Sequence, residues 1–313
     1  MNMAVSKRYF QNYIALFPAK FRPSLTAKLD YKKVLDAEKR LKIPTQVWLA
    51  FLTPPVQEAE EYVPEKYKRV WKLKTEMLSK LPHPKEFLDV RNPLHHSSEC
   101  VTLALLETLY DLNEKKVLLA EARYHEWLDV ANHFGLWALR YMLEDAIFKT
   151  FDSDNFSLFE SVVDKQMFIE QHLVLAISGI VKDALAQAGL DNFSLENRRK
   201  NIYGVYKKVA LKQKNINEIY DIHGFRILTS SESDCRKAIE VLHQLWRHFP
   251  ERYKDYIAEP KANGYRSIHT VLYSLEGKLV EFQVRTHEMD HIAASGPANH
   301  AEYKKNLGKT ISS

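Results

Sequence analysis

The sequence predicts an α+β protein: an N-terminal all-α region followed by a mixed β-sheet domain flanked by helices. Three observations carry that reading. Through about residue 165, apolar residues recur at helical spacing between proline breaks. From Asn192 onward, helical stripes alternate with short strand-like runs, the pattern of helices packed on a sheet. Within that second half, polar and ionisable side chains occupy alternate positions of two neighbouring strands, 265–272 and 280–285.

Along the chain, Pro54-Pro55, Pro82-His83-Pro84 and Pro93 divide the first part into short helices. Segment 124–148 reads as helical, with Leu128, Ala131, Leu136, Leu139, Leu143 and Ile147 at the right spacing. The polar stretch 152–157 reads as a linker or turn, and residues 158–187 as a further helix. Residues 198–211 read as an amphipathic helix, with Ile202, Val205, Tyr206 and Val209 at i, i+3, i+4 and i+7. Residues 219–228 read as a strand. Ser231-Glu232-Ser233-Asp234 is a capping-box pattern ahead of a helix with the stripe Cys235, Ala238, Ile239, Leu242, Leu245 and Trp246. The two polar-alternating strands follow, joined through Glu276-Gly277, and a helix from His287 closes the domain. The expected division is a helical domain over 1–165 and the sheet domain over 166–313.

A chain of 313 residues is long enough for about two domains and a sizeable core. Apolar content of 45% and charged content of 27% are ordinary for a soluble protein. A net charge of +5 suits an anionic ligand such as a nucleotide and is too small to argue for nucleic acid. Two cysteines, Cys100 and Cys235, imply no disulfide framework, so reducing cytoplasm is the expected location. The longest apolar run, near 173–181, is too short to span a bilayer, and the start of the chain has no secretory core, so no membrane partner is expected.

The chemistry-bearing residues fall in the second half. Tyr265, Ser267, His269 and Val271 share one face of a strand, and Glu281, Gln283 and Arg285 share the face opposite Val280, Phe282 and Val284. An aromatic, an imidazole, a carboxylate and a guanidinium are therefore expected on exposed faces of adjacent strands, an arrangement suited to a site. Asp221 lies in an otherwise apolar strand, where an unpaired carboxylate is costly. With Glu281 it forms a carboxylate pair of the kind that holds Mg²⁺ together with phosphate oxygens. Alone, Asp221 reads equally as a salt-bridge partner of Arg226 or a strand-edge cap. Arg198, Lys200 and Lys208 are basic, and Lys200, Gly204 and Lys208 fall at i, i+4 and i+8. By themselves they read as a solvated face, and beside two carboxylates as a phosphate clamp. Arg252-Tyr253-Lys254-Asp255 precedes Lys261, Asn263, Gly264, Tyr265 and His269. Here Gly264 permits a turn or close backbone approach, Tyr265 can stack on a base, and Asn263 can bond a base edge or ribose. The plainer alternative is an exposed loop tip feeding a half-buried strand.

Six pieces keep an order and spacing that resemble the alarmone synthetase domain of the RelA/SpoT family over 196–305. They are Arg198-Arg-Lys-Asn-Ile-Tyr-Gly-Val-Tyr-Lys-Lys208, Tyr220-Asp-Ile-His-Gly-Phe-Arg226, Arg252-Tyr-Lys-Asp-Tyr256, Lys261-Ala-Asn-Gly-Tyr-Arg-Ser-Ile-His-Thr270, Glu281-Phe-Gln-Val-Arg-Thr286 and the stretch 296–304. Such a set is far more specific than any single motif. The resemblance implies a nucleotidyltransferase-like fold and (p)ppGpp synthesis in the stringent response. The β,γ-pyrophosphate of ATP would pass to the 3′-hydroxyl of GDP or GTP, releasing AMP. It further implies Mg²⁺ held by Asp221 and Glu281, which are also the catalytic pair, Glu281 helping to deprotonate the attacking hydroxyl. Arg198, Lys200, Lys208 and Arg226 would bind ATP. Tyr265 would stack on guanine, with Lys261, Asn263, His269, Arg252 and Lys254 around the GDP or GTP. The Arg-Tyr-Lys-Asp form of the loop looks like that of bifunctional members.

Residues 130–148 resemble the helical segment that follows the hydrolase domain of long members. Those hydrolase domains carry a His-Asp dipeptide, and none of the 13 histidines here is followed by Asp. Residues 1–165 are therefore expected to be a degenerate, hydrolase-dead remnant. His95-His96 is a poor metal pair, since neighbouring helical side chains diverge, and Glu144-Asp145 reads as a structural salt-bridge site. Gly204 stands where the family usually has Ser, and Ala294 and Ala301 where it usually has Glu and Trp. Ribosome-coupling regulatory domains are not expected. Two other readings use the same residues. One is a toxin-type enzyme that pyrophosphorylates adenine nucleotides or the tRNA 3′ end, against which the Lys261, Asn263, Tyr265 and His269 set points to guanine. The other is an inactive nucleotide-binding regulator, against which Asp221 and Glu281 both argue. The tRNA acceptor aside, no nucleic-acid partner is expected, and self-association is left open.

Overall fold

The computed structural model describes residues 13–295 apart from 38–42, 44, 54–56, 81–83, 89–97, 117–118, 212, 214–221 and 262–263. It divides into two compact units, one through Ile147 and one spanning Phe148–Ala293.

The described part of the first unit is helical: α1 (Arg22–Ala37), α2 (Thr45–Leu52), α3 (Glu65–Lys80), α4 (Ser98–Asn113), α5 (Glu121–His133) and α6 (Trp137–Phe151), whose last turn enters the second unit. Leu25, Leu49, Phe51, Phe87, Val101 and Leu103 are among its buried core. The helical reading of 124–148 resolves into two helices. Gly135 takes φ 68°, and Gly135 N and Leu136 N donate to Asn132 O and Ala131 O, closing α5 as a Schellman motif. Glu144 pairs with Arg140 at 2.9 Å, a structural salt bridge as expected. His95 and His96 lie outside the described residues.

The second unit contains α7 (Ser153–Ile169), α8 (Gln171–Gln187), β1 (Ser194–Arg199), α9 (Ile202–Tyr206), β2 (His223–Thr229), α10 (Glu232–Leu245), β3 (Lys254–Asp255), β4 (Ile268–Tyr273), β5 (Leu279–Thr286) and α11 (His287–Ser295). The sheet order is β1-β2-β5-β4-β3, with β2 and β5 parallel and the other pairs antiparallel, so the sheet is mixed as predicted. Among the described residues no helix is long and apolar enough to cross a membrane.

Several boundaries differ from expectation for local reasons. The stretch from Asp152 is no linker: α6 ends at Phe151, and the Asp152 carboxylate caps α7 by accepting from Asn155 N. Phe156 and Val163 of α7 pack with Phe148, Ile202, Val205 and Ile222, so α7 belongs to the second unit and the division falls upstream of 165/166. The expected 158–187 helix is split at Glu170, where ψ is 3°. The expected 198–211 helix begins only at Ile202, and Lys207–Leu211 continue it as a π-turn. Its apolar stripe does bury Ile202 and Val205, but residues 194–199 pair with β2 as a strand.

Other elements follow their sequence signals. Ser231 Oγ caps α10 by accepting from Asp234 N at 3.1 Å, and Cys235, Ala238, Ile239 and Leu242 are buried beneath it. The β4–β5 turn places Glu276 at φ 54° and Gly277 at φ 68°. Thr286 Oγ1 accepts from Met289 N at 3.1 Å, turning β5 directly into α11. One sheet face is apolar: Phe225, Ile227, Ile268, Leu272, Val280, Phe282 and Val284 join a core with α8 and α10. That burial fixes the register, because a slip of one residue would exchange the two faces.

Candidate active site

The opposite face carries the chemistry. Residues paired across a sheet project to the same side. Arg198, Gly224, Glu281 and Val271 make one row, and Glu196, Arg226, Gln283, His269 and Lys254 make the next. Four chain segments distant in sequence thus bring basic, acidic and imidazole groups side by side. Gly224 lies between Arg198 and Glu281, where a Cβ would make only ordinary contact with the Glu281 carbonyl, at 3.5 Å.

A continuous hydrogen-bonded chain crosses these rows. Arg198 Nη1 donates to Gln283 Oε1 at 2.8 Å, and Gln283 Nε2 donates to Glu281 Oε2 at 3.0 Å. The other Glu281 oxygen lies 3.3 Å from His269 Nδ1, and His269 Nε2 lies 2.8 Å from the Tyr265 hydroxyl. With Glu281 ionised, His269 donates through Nδ1, leaving Nε2 to accept from Tyr265. Glu281 is thereby oriented by its neighbours on both sides, and its carboxylate and the imidazole are poised for proton transfer.

Tyr265 is surrounded by cations and rings. Lys261 Nζ lies 5.1 Å and Arg285 Cζ 5.6 Å from its ring centroid, and Tyr256 meets it edge-on at 6.1 Å. Arg285 Nη2 donates to Asp290 Oδ1 of α11 at 2.7 Å, and Arg226 Nη1 forms an ion pair with the same oxygen at 3.2 Å. Burial, with Arg285 as the next cause, pushes Arg226 down to about 10 despite the pull of Asp290. In β3, Asp255 accepts from Ile257 N, Ala258 N and Arg236 Nη1 at 2.9–3.0 Å. Burial pushes the Asp255 carboxyl up, but those bonds outweigh it and hold it below the usual range. This fixes the segment that carries Arg252 and Lys254, both exposed, with Lys254 opposite His269.

The predicted residues are placed as follows. Glu281, His269 and Tyr265 are joined in the chain above, and Arg198 reaches it through Gln283. Arg198 is on β1 and so does not share a helix with Lys208 of the π-turn; Lys200 follows β1, its N donating to Ile222 O at 3.1 Å. A Cβ at Gly204 would lie 2.5 Å from Asn201 Oδ1 and 3.2 Å from Lys200 Cε, so the glycine accommodates both side chains. Arg226 is turned toward Asp290, and Lys261 toward Tyr256 and Tyr265. Asp221, Asn263 and Ala301, and the side chain of Ala294, lie outside what is described. The face is also less exposed than expected: Gln283 is 7% and Arg285 3% exposed. Gln283 and Arg285 were expected on the polar face with Glu281 but given no individual role, and Asp290 was not predicted as a site residue.

Among the described residues no group of three His, Cys, Asp or Glu side chains is gathered as a metal shell. Glu281 is a part-accessible carboxylate, an oxygen donor of the type that Mg²⁺ takes.

The family described as "Region found in RelA / SpoT proteins" matches residues 197–308. The chain is 34% identical over 195 residues to a probable guanosine-3′,5′-bis(diphosphate) 3′-pyrophosphohydrolase of Synechocystis, covering 62% of this chain and 26% of that one. It is 35% identical over 191 residues to a probable chloroplastic GTP diphosphokinase of Oryza sativa, covering 61% and 27%. It is 30% identical over 213 residues to the GTP pyrophosphokinase of Escherichia coli K12, covering 66% and 28%. The chain thus spans about a quarter of the length of these curated relatives. The polar sheet face, with Arg198, Arg226, Tyr265, His269 and Glu281 on it, falls within residues 197–308, the stretch that is similar to this family region.

Proposed function

We propose that the second unit is a (p)ppGpp synthetase that moves the β,γ-pyrophosphate of ATP to the 3′-hydroxyl of GDP or GTP. The observation that carries this is the Arg198–Gln283–Glu281–His269–Tyr265 chain, which joins an anion-binding cation, a carboxylate base and an aromatic platform within the matched family region.

In the reaction, the 3′-oxygen attacks the β-phosphorus of ATP. The bond from that phosphorus to the α,β-bridging oxygen breaks, and AMP leaves with the bonding electrons. The hydroxyl proton passes to the Glu281 carboxylate, which His269 and Gln283 orient. Arg198 and Arg226, with Lys200 and Lys208, bind the ATP phosphates, and Tyr265 carries the acceptor base with Lys261, Asn263, Arg252 and Lys254 around it. Mg²⁺ held by Glu281 and Asp221 would neutralise charge on the transferred phosphates. Positioning and charge neutralisation do most of the work in such a transfer, which suits a site built of fixed cations and one oriented carboxylate.

Purified protein incubated with γ-labelled ATP, Mg²⁺ and, separately, GDP, GTP, ADP or uncharged tRNA tests the proposal. Label on GDP or GTP supports it and ranks the acceptors. Label confined to ADP or tRNA indicates the toxin-type reaction on the same site, and no transfer to any acceptor overturns the synthetase reading.

A further inference from the structure

Arg226 and Arg285 are both largely buried on the site face, and both pair with one carboxylate oxygen, Asp290 Oδ1, which accepts a hydrogen bond from Arg285 Nη2. Asp290 is 4% exposed and belongs to the first turn of α11, beyond the last sheet strand. A second acid, Glu196, has Oε2 3.7 Å from Arg226 Nη1 and is half exposed. The Nε atoms of both arginines are buried without an acceptor. The guanidinium planes are thus set by Asp290 and leave donors over, where a purely structural pair would use them.

The two arginines lead to opposite parts of the site. Arg226 is paired across the sheet with Gln283, which bridges Arg198 and Glu281. Arg285 lies against the Tyr265 ring, whose hydroxyl holds His269. We propose that Asp290 is the positioning residue of the nucleotide site: one oxygen fixes Arg226 on the ATP side and, through Arg285, the Tyr265 platform on the acceptor side. The inference rests on the synthetase reading and adds a residue that touches neither nucleotide. Asp290→Asn loosens both arginines, so affinity for both nucleotides falls together while the reacting groups themselves remain.

The test uses the full chain with Asp290→Asn and Asp290→Glu, which keeps the charge and guards against failure to fold. Two readouts are taken: steady-state kinetics with ATP and GDP varied in turn, and arginine side-chain Nε–H NMR signals of the nucleotide-free protein. The expected result for Asp290→Asn is a rise of about tenfold in KM for both nucleotides with kcat reduced less than about threefold. The Arg226 and Arg285 Nε–H signals should exchange faster with water at temperatures where the variant is still folded, its Tm falling because two buried guanidinium groups lose their shared acid, and Asp290→Glu should fall between wild type and Asn on every measure. A fall in kcat or Tm with both KM values unchanged, a rise in one KM alone, or unaltered Arg226 and Arg285 signals would overturn the proposal. If the wild-type chain turns over neither nucleotide, the functional reading fails, while the NMR arm still decides whether Asp290 holds both arginines.

Discussion

Two buried charge clusters, one in each unit, solve the same problem differently. In the first unit, Lys28 and Lys74 share Glu107 at 2.7 Å each, and Lys74 Nζ also donates to the carbonyls of Ala50, Phe51 and Thr53. Burial pushes Lys74 down to about 7 and Glu107 pulls it back, but its donors are matched, and it sits at the C-terminal end of α2 where a cation is favoured. In the second unit, Arg226 and Arg285 share Asp290 and keep unmatched Nε donors beside a carboxylate, an imidazole and an aromatic ring. The lesson is that matched buried charge holds a fold together, whereas leftover donors on a shared face mark a place built for an anion.

The comparison breaks most visibly at the carboxylates. Glu281→Gln should lower pyrophosphoryl transfer by at least about a thousandfold without changing Tm, since it removes the base and a hard oxygen donor but keeps the volume. Asp221→Asn should do the same. Near wild-type transfer by either variant would refute the two-carboxylate site. Glu107→Ala should act only on stability, costing about 3–5 kcal/mol because two ammonium groups are left buried without their shared acid; the denaturation midpoint of the full chain reads it.

Arg226→Met sharpens the contrast. It removes a charge with an unsatisfied donor and leaves Asp290 with Arg285, so stability should be unchanged or raised by about 1 kcal/mol. Affinity for ATP should fall about tenfold or more, measured by calorimetry with a non-hydrolysable analogue. Equal loss of stability in Arg226→Met and Glu107→Ala would erase the distinction between the clusters.

The smallest expected effect is a pH dependence away from the site. His243 stacks on His248 at 4.2 Å and bonds Thr270 Oγ1 at 3.0 Å. Burial, then the second imidazole, lowers its pKa below the ordinary 6.5. A base lowered in the folded state contributes its stability fully above the unfolded pKa and loses it as pH falls below about 6.5. Tm should therefore drop as pH falls below about 6.5, and His243→Gln should flatten that drop. An unchanged slope in the variant would assign the loss to other groups.

Much of the second unit was legible from periodicity and caps. The stripe from Cys235 to Leu242, the Ser231 cap and the Glu276-Gly277 turn each have a local cause that a sequence displays. β1 was not legible: Ser194–Arg199 has little apolar alternation, because one side of this edge strand belongs to the polar face. Its end merges with the apolar stripe that begins at Ile202, so the two read as one helix. Within the site, Glu281, His269 and Tyr265 were found because ionisable and aromatic groups recur at a spacing of two in apolar strands. Asp290 was not, because an acid in the first turn of a helix reads as a dipole partner; only the fold shows two arginines meeting it.

The central claim is that the polar sheet face transfers pyrophosphate rather than a single phosphoryl group. Phosphorus NMR of a reaction containing the protein, ATP, Mg²⁺ and GDP tests it most directly. The account predicts a guanosine carrying a new diphosphate on its 3′-oxygen and AMP in equal amount, with both absent for Glu281→Gln. Formation of ADP and GTP, or an unchanged spectrum with wild-type protein, would contradict it.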